Sequence, residues 1–398
     1  MNIFIIPSSY PTINNHISGV FYKEQAMSLA ESGKLKVAVS IFGRYSFHIS
    51  KKLLSNVSLL RNFLKSKKEI INPAENYFEF INPTLTWTWR FFEGNLNGIV
   101  KSHEINFLKA VDEFGKIDLI HAHVGHPAGY AAMLISQKYN IPYIITEHMG
   151  PFPFPNLVEN GKLVKHLSDP MRNAGIIICV SPALEKAVND FGFHNTVYIP
   201  NLIDEEKFFP VKNKNSVFTF FTLAAMVDDK GIPELLKSIV EVKKVLPDVI
   251  FKIAGDGQSL ESYMKFADEN DISGNIKWLG RITREKAIQE YQSSNAFILA
   301  SRHESFGVVF IEALACGKPV IATRCGGPDI IVNKNNGILV PVGDVVEIKN
   351  AILYIVKNRN KYKSSIIRND FIKRFSKKAV VKQIVNVYKN IVIKNKAV

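Results

Sequence analysis

The chain has 398 residues, 46% hydrophobic and 11% aromatic: too long for one compact core, of ordinary size for two domains, and nowhere disordered in composition. Its 50 Lys/Arg against 36 Asp/Glu give a net charge of +14, which favours anionic partners or simply solvates the surface. No apolar run reaches the roughly 18 residues that cross a bilayer, and three cysteines without metal spacing (Cys179, Cys316, Cys325) point to a reducing cytoplasm.

Taken in order, Met1-Asn-Ile-Phe-Ile-Ile-Pro7 lacks a basic leader and reads as a first strand over 2–6, not a signal peptide. A loop over 8–19 leads to a helix over 21–32 and a strand over 37–42. Ile49, Leu53, Val57, Leu60 and Leu64 then recur at helical spacing, with Lys51, Lys52, Arg61 and Lys65 off the stripe. Such a helix packs on its own sheet or lies on an anionic membrane. The aromatic cluster Trp87-Thr88-Trp89-Arg90-Phe91-Phe92 suits an acceptor groove, lipid contact or core packing. Strands over 118–122, 143–146, 176–180 and 197–199 complete a βα alternation that predicts a parallel sheet covered by helices.

Pro200-Asn201 opens a turn, and the polar stretch 212–215 follows. The expected domains are therefore 1–200 and 201–379, with a last helix over about 380–398 packing back on the first. The second half predicts strands over 217–223, 249–254, 276–279, 296–300 and 320–323, and helices over 233–246, 260–269, 284–293, 305–316 and 328–332. From residue 348 the chain reads as helical, and from Lys349 onward 14 Lys/Arg face one acid, Asp370. The fold class is α/β, two doubly wound Rossmann-like halves with a ligand cleft at the carboxyl ends of the strands.

The chemistry concentrates in Glu304-Ser-Phe306-Gly307-Val308-Val-Phe-Ile-Glu312. Eight residues is a little over two helical turns, so a helix starting near Glu304 puts both acids close to one face. Glu312 stands in an apolar run, where a carboxylate without a partner is rare. Phe306 and Gly307 mark a tight entry with outward N–H groups, fit for an anion or hydroxyls. Upstream, Asp228-Asp229-Lys230-Gly231-Ile232-Pro233 places a lysine at the positive end of the next helix, suited to a diphosphate. Gly280-Arg281-Ile282 ends a strand where backbone groups read a base, or it is a surface turn. His121-Ala-His123-Val-Gly-His126 matches no common zinc spacing. His123, at the strand end, is better placed than His121 to touch a ligand, and His148 shares that logic on the following strand. No Asp-x-Asp pair occurs, which disfavours a metal-bridged diphosphate.

Together with Cys325-Gly-Gly-Pro-Asp329, Asn336-Gly-Ile-Leu-Val-Pro-Val-Gly-Asp344, Ile199-Pro-Asn-Leu-Ile-Asp204 and Ser181-Pro-Ala-Leu184, these residues resemble family 4 of the glycosyltransferases, retaining enzymes of the GT-B fold, whose two domains face each other across a cleft. The resemblance implies a retaining, metal-independent hexosyltransferase. It would move a sugar from a nucleotide diphosphate sugar, a UDP-sugar foremost, to a glycan or lipid-linked acceptor in cell-surface polysaccharide synthesis. Glu304 would hold the sugar's hydroxyls with N–H groups around Phe306, Gly307 and Val308. Glu312 would accept from the ribose, Lys230 would neutralise the diphosphate, and His123 would reach the donor sugar. Gly19 would let the backbone approach the reacting centre, with His148, Arg281 and Ile282 as further contacts. Where the family often has Gly-Arg, this chain has Ala224-Ala225, so Lys230 neutralises the phosphates alone or with Arg281 or Arg324. No cofactor or metal is expected, and no nucleic acid partner. The expected location is the cytoplasm, with contact at the inner face of the cell membrane. A nucleotide-sugar epimerase or hydrolase of the same fold is the alternative, and a basic nucleic-acid binder is weaker because it leaves the cleft motifs without a role.

Overall fold

The computed structural model describes residues 1–11, 18–46, 53–87, 92–212 and 216–396. The chain divides into two compact units: Met1–Val180 with Glu185–Ile199 and Val381–Val398, and Ser181–Leu184 with Pro200–Val380.

The first unit is built on an eight-stranded sheet. Its spatial order is Thr196–Tyr198, Ile177–Cys179, Tyr143–Glu147, Leu119–His123, Asn2–Pro7, Lys36–Ile41, Tyr77–Ile81 and Glu69–Ala74. Every pairing is parallel except the last, where Glu69–Ala74 runs antiparallel to Tyr77–Ile81. Ile3, Phe4, Ile5 and Ile6 are each at most 1% exposed, as expected for a central strand covered on both faces. Burying each such side chain contributes about 1.5–3 kcal/mol. Phe4 meets Phe107 edge-on at 5.4 Å, which ties the helix Leu96–Phe114 to the sheet.

The second unit has six parallel strands in the order Ile276–Gly280, Ile250–Ala254, Thr219–Leu223, Ala296–Leu299, Val320–Thr323 and Gly337–Val340. The first strand in sequence is central in each unit, and the chain winds first to one side and then to the other. Phe220 stacks on Phe251, and Phe221, Tyr291, Phe297 and Phe310 interlock behind them.

Several expectations need correction. The helix expected over 305–316 spans Val308–Ala315. Glu304 lies before it, in an extended bridge to Gly326, so Glu304 and Glu312 do not share a helical face. The helical tail is three helices, Val345–Lys357, Ser364–Phe375 and Lys377–Lys396. The hairpin of Glu69–Ala74 and Tyr77–Ile81 and the helix Leu96–Phe114 carry no expectation from the sequence; Asn76 turns the hairpin with a left-handed φ of 60°. The basic amphipathic segment resolves into a helix Leu53–Lys65, while Phe47, Ile49, Lys51 and Lys52 lie outside the described residues, as do Thr88 to Phe91 of the aromatic cluster and 213–215 of the polar stretch.

Candidate active site

In a doubly wound sheet the loops leaving adjacent strands diverge where the winding reverses, which opens a crevice at the strands' carboxyl ends. In the second unit that point lies between Thr219–Leu223 and Ala296–Leu299. The chain leaves the first of these through a short 3-10 turn, Asp228–Lys230, and enters the helix Ile232–Lys243 at Gly231. Gly231 has φ 65°, and a Cβ there would overlap the Ala300 carbonyl oxygen. Only glycine permits both the left-handed turn and this approach. The two loops are thereby pressed together, and Arg302 N–H donates to the Asp229 carbonyl at 2.8 Å.

This contact sets Lys230 against Glu304. Lys230 Nζ lies 2.8 Å from Glu304 Oε1, which also accepts from Ser301 Oγ at 2.8 Å. The side chains are 27% and 14% exposed, so the pair is reachable by a ligand yet poorly screened. Gly327 N–H donates to the Glu304 carbonyl at 2.9 Å, which fixes the backbone from the other side. Around the pair, His303 Nδ1 lies 3.0 Å from Asp229 Oδ1 and Arg302 lies 2.5 Å from Glu234 Oε1.

Beyond Glu304, Phe306 is 1% exposed and packs edge-on against Phe375 at 5.9 Å. Its side chain is an anchor, and only its backbone is available to a ligand. Gly307 precedes the helix Val308–Ala315, which has no side-chain cap, so its first N–H groups carry unneutralised partial positive charge. Glu312, 2% exposed, bonds the guanidinium of Arg284. Arg284 in turn lies over the Phe208 ring at 4.7 Å, while burial and the adjacent Glu312 hold the Tyr291 hydroxyl well above its usual pKa. Arg281 is exposed, 3.6 Å from Asp256 Oδ2, and Ile282 is half-buried beside it. Arg284, Ser301 and Arg302 carried no sequence expectation. An arginine opening a helix and a Ser-Arg pair after a strand are ordinary residues until their partners are known.

In the first unit the winding reverses between Asn2–Pro7 and Leu119–His123. Gly19, with φ 71°, precedes the helix Val20–Glu31, and a Cβ there would overlap the Ser9 carbonyl. That helix carries Tyr22, whose ring lies 4.8 Å from His123 and 5.0 Å from His148. His123 Nδ1 lies 3.2 Å from His148 Nε2; one donates and the other accepts, which requires the accepting ring to be neutral. Burial pushes the His123 imidazole down to about 3 and His148 well below its ordinary value. His123 Nε2 has no hydrogen-bond partner among the described residues. His121 lies tilted against His123 at 4.4 Å and is spanned by Tyr388 and Thr146, each 2.7 Å from a ring nitrogen; it is packed, not open. The buried Glu147 accepts from the N–H groups of Gly125, His148 and Met149. Burial raises its pKa while those three bonds oppose the rise. Among the described residues no three His, Cys, Asp or Glu side chains are grouped to hold a metal, and no helix is long and apolar enough to cross a membrane.

Residues 203–374 match the family model described as glycosyl transferases group 1, and residues 74–207 match that of glycosyltransferase family 4. The chain is a family 4 glycosyltransferase. Its two Rossmann-like units are those of the GT-B fold. An uncharacterized glycosyltransferase of Methanocaldococcus jannaschii is 29% identical over 308 residues, 75% of this chain and 84% of that one. The lipopolysaccharide core biosynthesis glycosyltransferase LpsE of Rhizobium meliloti is 26% identical over 196 residues, 48% of this chain and 56% of its own. Among solved structures, Anabaena HepE in complex with UDP and glucose superposes with a TM-score of 0.68 at 18% identity, covering 98% of this chain and 99% of that one. Within this glycosyltransferase, Lys230, Glu304, Gly307 and Val308 stand together in the second unit, Glu312 lies farther along the helix that Val308 opens, and Arg281 and Ile282 follow the edge strand Ile276–Gly280. His123, His148 and Gly19 stand together in the first.

Proposed function

We propose that this glycosyltransferase moves a hexose-type sugar from a UDP-sugar to a glycan or lipid-linked glycan acceptor in cell-surface polysaccharide synthesis, with retention of configuration and without a metal. The single observation that carries the reading is the Lys230–Glu304 pair at the winding reversal of the second unit, beside an uncapped helix start. A diphosphate set against Lys230 and those N–H groups has its growing charge neutralised by groups already in place, which lowers the barrier to departure. Glu304, relieved of Lys230, accepts from sugar hydroxyls. Glu312, oriented by Arg284, accepts from the ribose, and the backbone at Arg281 and Ile282 reads the base. His123 and His148, as neutral rings, hydrogen-bond substrate without adding charge, and Gly19 admits the backbone close to it.

The proposed step proceeds on one face. The C–O bond to the diphosphate breaks, the acceptor oxygen bonds the same face of the anomeric carbon, and the departing phosphate oxygen takes the acceptor's proton. No side chain is assigned as general base. UDP is favoured by the ligand of HepE and a polysaccharide or glycolipid acceptor by the part LpsE plays in lipopolysaccharide core biosynthesis. We also propose contact with anionic membrane at its cytoplasmic face through the helix Leu53–Lys65, where Val57, Leu60 and Leu64 are exposed beside Arg61 and Lys65; greater co-sedimentation with anionic than with neutral vesicles supports this, and equal recovery removes it.

The test is thermal stabilisation by a panel of nucleoside diphosphates, followed by product analysis with the best donor. Stabilisation by UDP and transfer with an unchanged anomeric configuration in the presence of EDTA are expected. Release of free sugar irrespective of acceptor, or epimerised donor, replaces transfer by hydrolysis or epimerisation. Inversion, or loss of activity in EDTA, overturns the corresponding part.

A further inference from the structure

A second concavity lies at the opposite end of the second unit's sheet. Phe218 and Pro319, which line it, immediately precede the strands Thr219–Leu223 and Val320–Thr323, whereas Lys230 and Glu304 follow the carboxyl ends. The strands are four to five residues long, so at about 3.3 Å per residue the two places stand a full strand length apart. The cavity measures about 400 Å³, the size of a small-metabolite site.

Its charge is one-sided. Lys212, Lys318 and Arg359 line it and no Asp or Glu does. Lys318 is 7% exposed, and its ammonium donates to the Gln292 carbonyl at 2.8 Å. No carboxylate pairs with Lys318, Lys212 or Arg359 among the described residues. A buried ammonium without a counter-charge is disfavoured, and burial accordingly lowers the Lys318 pKa. Ser364, also in the lining, opens the 12-residue helix Ser364–Phe375, which lacks a side-chain cap and so turns unneutralised N–H groups the same way. A buried cation without a carboxylate partner, two exposed cations and a helix start thus line one open concavity.

We propose that this cavity binds a small phosphorylated ligand, with its phosphate on Lys318 and Arg359 and its organic part against Phe218. The site is separate from that of the donor.

Calorimetry of the full chain with glucose 6-phosphate, inorganic phosphate and glucose tests it, on the parent and on Lys318→Met, Arg359→Ala and Lys230→Ala. Glucose 6-phosphate is expected to bind, glucose not. Lys318→Met should weaken binding at least about thirtyfold, as removal of a buried charge partner does. Arg359→Ala, at an exposed position that leaves folding intact, should weaken it about threefold, and Lys230→Ala should leave it unchanged. Inorganic phosphate binding as tightly as glucose 6-phosphate, with the same variant pattern, supports the site with free phosphate as its ligand. Failure of both phosphate probes to bind overturns the proposal. So does loss of binding in Lys230→Ala with none in Arg359→Ala, which places the ligand in the donor site. Should Lys318→Met not fold, Arg359→Ala against Lys230→Ala still decides.

Discussion

Both units wind to one side and then the other of their first strand, and they solve opposite electrostatic problems where that winding reverses. Where the second unit's winding reverses, the side chains are charged, partly exposed and paired with one another: Lys230 with Glu304, His303 with Asp229, Arg302 with Glu234. Where the first unit's winding reverses, they are buried or half-buried rings, with Tyr22 tilted against His123 and edge-on to His148, and His121 tilted against His123. The parallel sheet supplies only a crevice. Its chemistry follows from what the loops bring, and loops are free to differ because they carry little of the core.

The comparison breaks most sharply if the charged pair proves dispensable. Lys230→Ala and Glu304→Ala are each expected to lower transfer about 10²–10³-fold with an unchanged circular dichroism spectrum; turnover near the parental rate in either removes the donor site from this place. Gly231→Ala forces an L-residue into a left-handed turn against the Ala300 carbonyl and should destabilise by about 1–3 kcal/mol or more, read as the urea midpoint of the second unit.

The neutral side is sharpened by pH. His123 at the reversal and His103, on the helix Leu96–Phe114 with its Nδ1 2.7 Å from Ser40 Oγ, are both buried, and desolvation brings each down to about 3. Their folded values lie below the unfolded value, so the native state binds fewer protons and stability falls as pH falls. The stabilisation is fully present above about 6.5 and is lost progressively toward 3, about 2 kcal/mol per imidazole between pH 7 and 5. Urea titrations at the two pH values check this; equal midpoints would mean the rings are solvated. Tyr388→Phe leaves His121 Nδ1 without its partner and should cost about 1–3 kcal/mol, seen as a lowered Tm. Arg281→Ala, at an exposed pair, should change stability by less than about 0.5 kcal/mol while raising the KM for the donor.

Periodicity alone marked most of both sheets, because strands covered on two faces need continuous apolar runs and the intervening helices keep their 3.6-residue stripe. The Glu69–Ala74 edge strand escaped because Glu69 through Pro73 are all exposed and so show no buried apolar run. The start of the helix Val308–Ala315 was misjudged because Glu304 satisfies its backbone across to Gly326 and Gly327, a long-range bridge with no local signature.

The order of residues therefore decided the two-unit α/β architecture, and it marked Lys230, Glu304, Glu312 and His123 as unusual. Burial patterns and turn chemistry are local, and a carboxylate in an apolar run is conspicuous by itself. Only the folded chain decided the partners: Lys230 on Glu304, Arg284 on Glu312, Tyr388 on His121 across 267 positions. An ion pair or a buried hydrogen bond depends on distance in space, and residues far apart in sequence acquire that distance only when the sheet brings its loops to one edge.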